Sequence, residues 1–355
     1  MKISIQDVGP LSSAEVEING ITVITGENNT GKSIVGKSLF AILNAQNNLE
    51  KKVKNAIKKA SGGVSWSKGE AVKAVALASF KDEFGDRICN IHHEGSIASV
   101  KIIMDGVESE VVVENDRVVD FINPRNIKLQ PVLIDDALCV ALDMLSYSPS
   151  SSLKAFPERI IQTLGSLFPS DNAESSIPGT LRQTIFELIL EKFKCLIAGR
   201  MITENGRFAY VENERTGKVL PLAGVSSGLK FFALLQEFVL NGMISEKSTV
   251  ILDRPESYLH PQWQIDFAEI ITAMQNVLGL HILITSCSPY LISAIDVYSK
   301  RYGINENNRY YFAECVSEGN VVRDVTGNLA VIYDSLAEPY QIIEDAAMEL
   351  ENTLL

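Results

Sequence analysis

Gly26-Glu27-Asn28-Asn29-Thr30-Gly31-Lys32-Ser33 decides how the rest of the chain is read. Two glycines separated by four residues, then Lys and Ser, make a loop built to hold phosphate. Backbone N–H groups of such a loop point inward at the α- and β-phosphates. The Lys ammonium reaches the β- and γ-phosphates, and the Ser hydroxyl ligates Mg²⁺. The flanks supply the context the motif needs. Gly20-Ile21-Thr22-Val23-Ile24-Thr25 is an apolar, β-branched stretch suited to a buried strand, and the residues from Ile34 to Leu43 have helical apolar spacing. A helix opening at the loop aims its positive dipole end at the phosphates. The cradle expected for them is Gly26, Asn28, Asn29, Thr30, Gly31, Lys32, Ser33 and Ile34.

Composition narrows the class. At 355 residues with 46% hydrophobic content, the chain has ample material for a sizeable core, and large α/β folds use such a length in one bilobed unit. No run of about eighteen apolar residues exists, so no membrane span or membrane partner is expected. Met1-Lys2-Ile3-Ser4-Ile5-Gln6 alternates like a strand instead of carrying the apolar block of a secretion signal, which predicts a cytoplasmic protein. The five cysteines, Cys89, Cys139, Cys195, Cys287 and Cys315, lie far apart and form no C-x-x-C pair, so neither a structural zinc site nor a disulfide framework is indicated. A net charge of −12 argues against binding nucleic acid through the bulk surface, because that mode needs a broad positive field.

Taken in order, residues 1 to 25 read as two or three strands with turns at Val8-Gly9-Pro10 and Asn19-Gly20, the second being a hairpin signal. Asn44 to Lys59 places Leu49, Val53, Ala56 and Ile57 on one face and five lysines (Lys51, Lys52, Lys54, Lys58, Lys59) largely on the other. That segment reads either as a solvated amphipathic helix or as a track for a phosphate backbone. A helix over 70–80 leads into a strand-rich block from Ile88 to about Phe121, and His92 and His93 between them point in opposite directions on a strand and take no role. A strand from Pro131 to Ile134 ends at Asp135-Asp136. Residues 146–156 and 168–172 are rich in turn formers and separate helices over 158–167 and 181–197; a hairpin joins 207–212 to 218–222.

Three further stretches carry chemistry. Gly224-Val225-Ser226-Ser227-Gly228-Leu229-Lys230 leads into a helix over 231–240, and two serines and a glycine there make either an anion site or a Ser N-cap. Ser248 to Asp253 is an apolar strand ending in a carboxylate, which in a phosphate-loop protein places an acid beside Mg²⁺. Arg254-Pro255-Glu256-Ser257-Tyr258-Leu259-His260-Pro261 follows, then a helix from Gln262. Finally Leu280 to Thr285 is a strand leaving the core through Ser286-Cys287-Ser288-Pro289, again at the phosphate end of a parallel sheet.

Together, the P-loop, Ser-Ser-Gly-Leu-Lys, Leu-Asp-Arg-Pro-Glu with Leu-His-Pro, and Thr-Ser-Cys-Ser-Pro resemble the ABC-class ATPases. The match is to the bacterial AAA-type branch related to SMC and OLD-family proteins, whose usual strings read IDEPE, LHP and THSP. The motif-bearing parts cover about 1–40 and 222–294. The resemblance implies an α/β P-loop NTPase fold, an ABC-ATPase-type bilobed head with a mixed sheet and a helical lobe. In this reading 1–145 is a lobe carrying the P-loop, 146–200 a helical insertion, and 201–355 a lobe carrying the signature and the Walker B acid.

It also implies ATP and Mg²⁺ as cofactors, Ser33 and Asp253 as the metal-binding pair, and a nucleotide-sandwich homodimer. In that dimer the P-loop of one subunit and Ser226-Ser227-Gly228 of the other close on the same ATP. The residue after the Walker B acid is usually the glutamate that polarises water; this chain has Arg254. The family's switch histidine aligns with Cys287. Arg254 cannot accept a proton and Cys287 is a poor hydrogen-bond donor, so hydrolysis is expected to be slow, with Glu256 either a partial substitute or a helix N-terminal acid. Arg254 reads alternatively as a partner for the γ-phosphate or for another subunit's carboxylate. Gln130 stands as the candidate for the family's Q-loop glutamine. No segment sustains heptads over three or four repeats, so a partner is expected to dock on the head itself.

Compact bacterial relatives of this kind often belong to anti-phage defence modules, for example Septu-like and retron-associated ATPases paired with a nuclease. The resemblance therefore implies a head that controls an effector such as a nuclease or toxin. A hydrolysis-deficient scaffold held together by ATP, and a DNA-repair or chromosome-handling ATPase using the lysine-rich helix, are the competing readings.

Overall fold

The structure, a computed structural model, describes residues 1–59, 66–92, 95–147, 156–167, 189–204, 207–212, 217–317 and 319–354. The chain opens with β1 (Lys2–Val8), β2 (Leu11–Glu17) and β3 (Ile21–Gly26), then α1 (Lys32–Gln46), α2 (Leu49–Lys59) and α3 (Lys68–Phe84). A meander of β4 (Ile97–Met104), β5 (Val107–Glu114) and β6 (Arg117–Ile122) follows, then β7 (Val132–Ile134), α4 (Asp136–Tyr147), α5 (Glu158–Leu167) and a helix α6 over 189–196. Next come β8 (Arg200–Glu204), β9 (Arg207–Val211), β10 (Val219–Pro221), α7 (Ser227–Leu240), β11 (Thr249–Asp253), α8 (Pro261–Leu278) and β12 (His281–Thr285). The described chain closes with α9 (Pro289–Tyr302), β13 (Arg309–Val316), β14 (Gly319–Asp324) and α10 (Ala330–Leu354).

One eleven-stranded sheet runs β6-β5-β4-β1-β2-β14-β13-β3-β12-β11-β7, and β10-β9-β8 form a separate three-stranded sheet. The five strands β13, β3, β12, β11 and β7 are mutually parallel, whereas β6 to β2 form an antiparallel wing. The parallel strands read as near-continuous apolar runs because both their faces are covered. Their side chains alternate between two cores. Ile21 and Val23, Val250 and Leu252, and Ile282 and Ile284 join one cluster with α7, α8 and α9, while Ile24, Ile251 and Leu283 join a second cluster with α1 and α3. Parallel alignment brings the carboxyl ends of β3, β11, β12 and β7 to one edge, and there the phosphate loop sits.

The structure alters several local expectations. The Val8-Gly9-Pro10 turn closes a β1–β2 hairpin, with Val8 opposite Leu11. Asn19-Gly20 does not close one: β3 pairs with β12 and β13, and β2 pairs with β1 and β14. The turn chemistry is local, but the parallel partners of β3 come from the other end of the chain and take both its edges. β8 was not anticipated, nor was the start of α7 at Ser227, four residues before the anticipated Phe231. On α2, Lys52 turns inward and donates to the backbone and side-chain oxygens of Asn44 at 2.6 and 3.1 Å. Burial lowers its pKa, so the lysines do not form one continuous outer face. His93 and the segment 168–172 lie outside the described residues, as does most of 146–156 and 181–188. In α10, a 25-residue helix with Pro339 inside it, apolar residues from Leu336 onward recur every three or four positions for fewer than three heptads, short of the three or four repeats of a sustained coiled coil. Among the described residues, no helix is long and apolar enough to cross a membrane.

Candidate nucleotide site

Each site residue is placed by a strand end or a helix start. Gly26 closes β3 with φ of 134°, and a Cβ there would meet the Ala313 carbonyl oxygen of β13 at 2.1 Å, so only glycine lets the loop begin beside that strand. Asn29 is left-handed, Thr30 Oγ1 donates to the Glu27 carbonyl at 2.8 Å, and Asn320 Nδ2 from β14 donates to the Asn29 carbonyl at 2.9 Å. Gly31 is the residue before α1, whose N-terminus therefore faces the loop. Lys32 is buried, its ammonium donating to the Gly26 carbonyl at 2.8 Å and also to the Glu27 carbonyl. Glu27, Asn28 and Asn29 are exposed at the mouth, and Ile34 is half-buried behind them.

Ser33 Oγ donates to Asp253 Oδ1 at 2.8 Å, across 220 residues of sequence. Thr285 Oγ1 donates to the same carboxylate oxygen. A hydroxyl from α1 and a carboxylate from β11 thus converge at the loop, the hard oxygen donors that Mg²⁺ takes. This pair fits the ion the sequence implied.

Beyond Asp253 the chain turns sharply. Arg254 is left-handed (φ 51°, ψ 53°), and its N–H donates to both the carbonyl and Oγ1 of Thr285 at 3.1 Å. Its guanidinium donates to Asp136 Oδ2 of α4, and Tyr258 OH donates to Asp136 Oδ1 at 2.7 Å. Within this chain Arg254 therefore already has a carboxylate partner, immediately after the carboxyl end of β7. Glu256 lies in a short 3₁₀ turn, and its Oε1 accepts from the Cys287 N–H at 2.8 Å, which ties the β11 and β12 loops together. Its Oε2 is buried without a protein partner, and burial raises the carboxyl's pKa. Cys287 Sγ lies 3.3 Å from the Gly26 carbonyl; burial raises its thiol while Lys32 opposes the rise. Arg254, Glu256, Cys287, Lys32 and Asp253 are thereby gathered at one edge of the sheet.

Ser226, Ser227 and Gly228 are not joined to this cluster. Ser226 caps α7 with extended backbone, yet its hydroxyl makes no cap hydrogen bond, and both serines are exposed. Gly228 is buried because a Cβ would lie 2.8 Å from the Tyr258 carbonyl and 3.1 Å from the Trp263 ring. Behind the turn, Lys230 donates to Asp143 Oδ1 of α4 at 2.5 Å. Gln130 is also absent from the cluster. It precedes β7, at the opposite end of the strand from the loop, and is exposed. The residues at the correct end are Asp135 and Asp136.

Sequence reading passed over this acid pair although it stands directly after an apolar strand, where parallel sheets place ligands. Asp136 holds Arg254 and Tyr258. Asp135 is buried, accepts the Leu138 N–H at 3.0 Å at the start of α4, and binds Arg159 of α5 at 2.5 Å. The other side of the Arg159 fork binds Glu83 of α3 at 2.5 Å; the three side chains are between 1% and 5% exposed. Burial pushes the Glu83 carboxyl up to about 7 despite the guanidinium beside it.

Comparison with known proteins follows the same lines. One solved structure with similar coordinates is an SMC head bound to the C-winged helix domain of ScpA: TM-score 0.51, 13% identity, 91% of this chain and 97% of that one covered. Another is the Smc head domain with a coiled coil and joint from Pyrococcus yayanosii: TM-score 0.50, 10% identity, 96% of this chain and 99% of that one covered. The fold is that of an SMC-type P-loop ATPase head. A family described as an AAA domain, putative AbiEii toxin, Type IV TA system, matches residues 145–293, a span that includes Ser226 to Gly228, Asp253 and Cys287 but not the P-loop. No curated protein matches the sequence.

Proposed function

We propose that the chain is an ATP-binding head that hydrolyses ATP slowly and closes as a homodimer around nucleotide to control an effector protein. The observation that carries this reading is the convergence of Ser33 on Asp253 at 2.8 Å beside the buried Lys32, with Ser226 and Ser227 exposed on a separate helix start. Lys32 would supply positive charge to the β- and γ-phosphates, and the N-terminus of α1 would face them. Ser33 and Asp253 would hold Mg²⁺, whose charge offsets that of the phosphates. The two signature serines, unpaired with their own loop, suit a nucleotide held by a second copy.

The chemistry at residue 254 supports the slow rate. A guanidinium held by Asp136 cannot take a proton from water. Glu256 is the nearby carboxylate with a raised pKa, the direction a general base needs to work near neutrality, and its Oε2 has no protein partner. Glu256 is thus the base, Cys287 and Thr285 position the loops around it, and the head spends longer in the ATP state than one carrying Glu at 254. The effector is a nuclease or toxin of an anti-phage module, in keeping with the sequence resemblance. The same domain divides into the lobes 1–145 and 201–355 with an insertion between them.

Sedimentation with and without ATP and Mg²⁺ tests the dimer. Mass should double with nucleotide and stay monomeric in Lys32→Ala and in Ser227→Arg, while Ser227→Arg still binds ATP as a monomer. Doubling that survives Ser227→Arg would refute the sandwich.

A further inference from the structure

Helix α10 leaves the body of the protein with its apolar stripe uncovered. From Leu336 the residues Tyr340, Ile343, Ala347, Leu350 and Leu354 follow at spacings of four, three, four, three and four, the repeat of a coiled-coil seam. Where the helix begins, this stripe is satisfied: Ile332 is fully buried, and Leu336 packs against the same core as α8 and α9. Beyond it every residue from 337 to 350 is exposed. Tyr340 is 68%, Ile343 65% and Leu350 65% exposed. Three such side chains on one stripe approach the ~300–600 Å² that is the largest apolar patch on a typical monomer. At the root of this segment a groove of about 550 Å³ opens between Pro289 of α9 and Tyr333, Leu336, Tyr340 and Glu344 of α10.

The seam spacing sets the shape of what covers it, and the charges set its sign. A stripe repeating at 3.5 residues accepts knobs from another helix and fits neither a strand nor a flat surface. Between Ala330 and Leu354 the sequence carries Asp334, Glu338, Glu344, Asp345, Glu349 and Glu351, and no Lys, Arg or His. Glu344 and Glu351 directly follow the seam residues Ile343 and Leu350, the positions that select a partner by charge. Two copies of this helix would set acid against acid in a chain whose net charge is already −12. A helix with Lys or Arg flanking its own apolar seam meets no such penalty.

We propose that the exposed stripe of α10 is the docking face for a basic amphipathic helix of a partner protein. That helix lays its seam along Tyr340, Ile343 and Leu350 and sets its cations beside Glu344, directly after the seam residue Ile343. The surface is independent of the nucleotide reading, since no residue of the P-loop cluster contributes to it.

The test uses the full chain without nucleotide and two synthetic four-heptad peptides with Leu at both seam positions, one flanked by Lys and one by Glu. Fluorescence anisotropy should show the Lys peptide binding with an affinity that falls as NaCl rises, and the Glu peptide not binding. Ile343→Asp and Leu350→Asp should each weaken the Lys peptide at least tenfold, with the thermal unfolding midpoint of the protein unchanged. The double variant Glu344→Lys with Glu351→Lys keeps the seam intact and should reverse the preference between the peptides. Failure of the Lys peptide to bind, equal binding of both peptides, or binding indifferent to these variants would overturn the proposal. So would a nucleotide-free dimer that Ile343→Asp converts to monomer, because that result assigns the face to a second copy.

Discussion

If Arg254 is what slows the chemistry, a glutamate in its place should accelerate it, but only fully when Asp136 is neutralised as well. The backbone at 254 is held by Thr285 through two contacts of 3.1 Å that do not involve the side chain, so Arg254→Glu inherits the same turn. The new carboxylate would then lie beside Asp136, which now pairs with Arg254. Two like charges about 4 Å apart cost roughly 4 kcal/mol at an effective dielectric of 20. Both side chains are close to half exposed (44% and 43%), and solvent screening reduces this to about 1 kcal/mol, or roughly fivefold in rate. Asp136→Asn removes the repulsion and keeps an oxygen for Tyr258 OH, which lies 2.7 Å from Oδ1.

A general base is worth about 10²–10⁴ in rate. Because Glu256 already supplies part of that in the parent, single-turnover release of the γ-phosphate, with protein in excess over ATP and Mg²⁺ present, should rise in the double variant by less than that full factor but at least about tenfold. Arg254→Glu alone should fall roughly fivefold short of it, and Asp136→Asn alone should gain nothing. A double variant no faster than the parent, with ATP binding intact, would refute the assignment of the slow step to Arg254.

Other expectations concern stability. Arg159→Met would strand Glu83 and Asp135 as buried acids and should cost about 3–5 kcal/mol at pH 8. Denaturant midpoints should show a smaller loss at pH 5.5, because the folded state holds a proton on Glu83 up to about 7. Burial likewise pushes Glu237 up to about 7, so the fold retains a proton that the unfolded chain releases near its ordinary value of 4.5. The stability linked to that proton is fully present below the ordinary value and is lost as pH rises through about 7, by up to roughly 3 kcal/mol. Glu237→Gln should flatten this part of the urea-midpoint profile. Gly26→Ala should abolish nucleotide binding in a fluorescent-ATP titration and lower the thermal midpoint, since its Cβ would stand 2.1 Å from a β13 carbonyl oxygen.

Local chemistry was the part of the fold that could be read directly. The run Ile21 to Thr25 with the loop after it specified a buried strand and a helix start, because a loop of this kind works only between those two elements. Asp253 was legible as an acid at a strand end for the same reason. The Asn19-Gly20 turn misled, because turn residues dictate how the chain bends and not which strand later lies alongside. Gln130 misled because residue type pointed one way and strand direction the other. The α10 stripe escaped notice because its first turns double as core, so the seam looks like the end of an ordinary packed helix.

By itself, then, the sequence determined the phosphate loop, the acid of β11 and the parallel character of the central strands. Each depends on residues within a few positions of one another, or on an apolar period along one element. Tertiary structure decided which groups meet. Ser33 reaches Asp253 across 220 residues, Arg254 finds Asp136 across 118, and Glu256 receives the N–H of Cys287. Those pairings follow from the order β3-β12-β11-β7, which brings four strand ends to one edge. No local pattern encodes that order, because it is set by burying two apolar faces of one sheet at once.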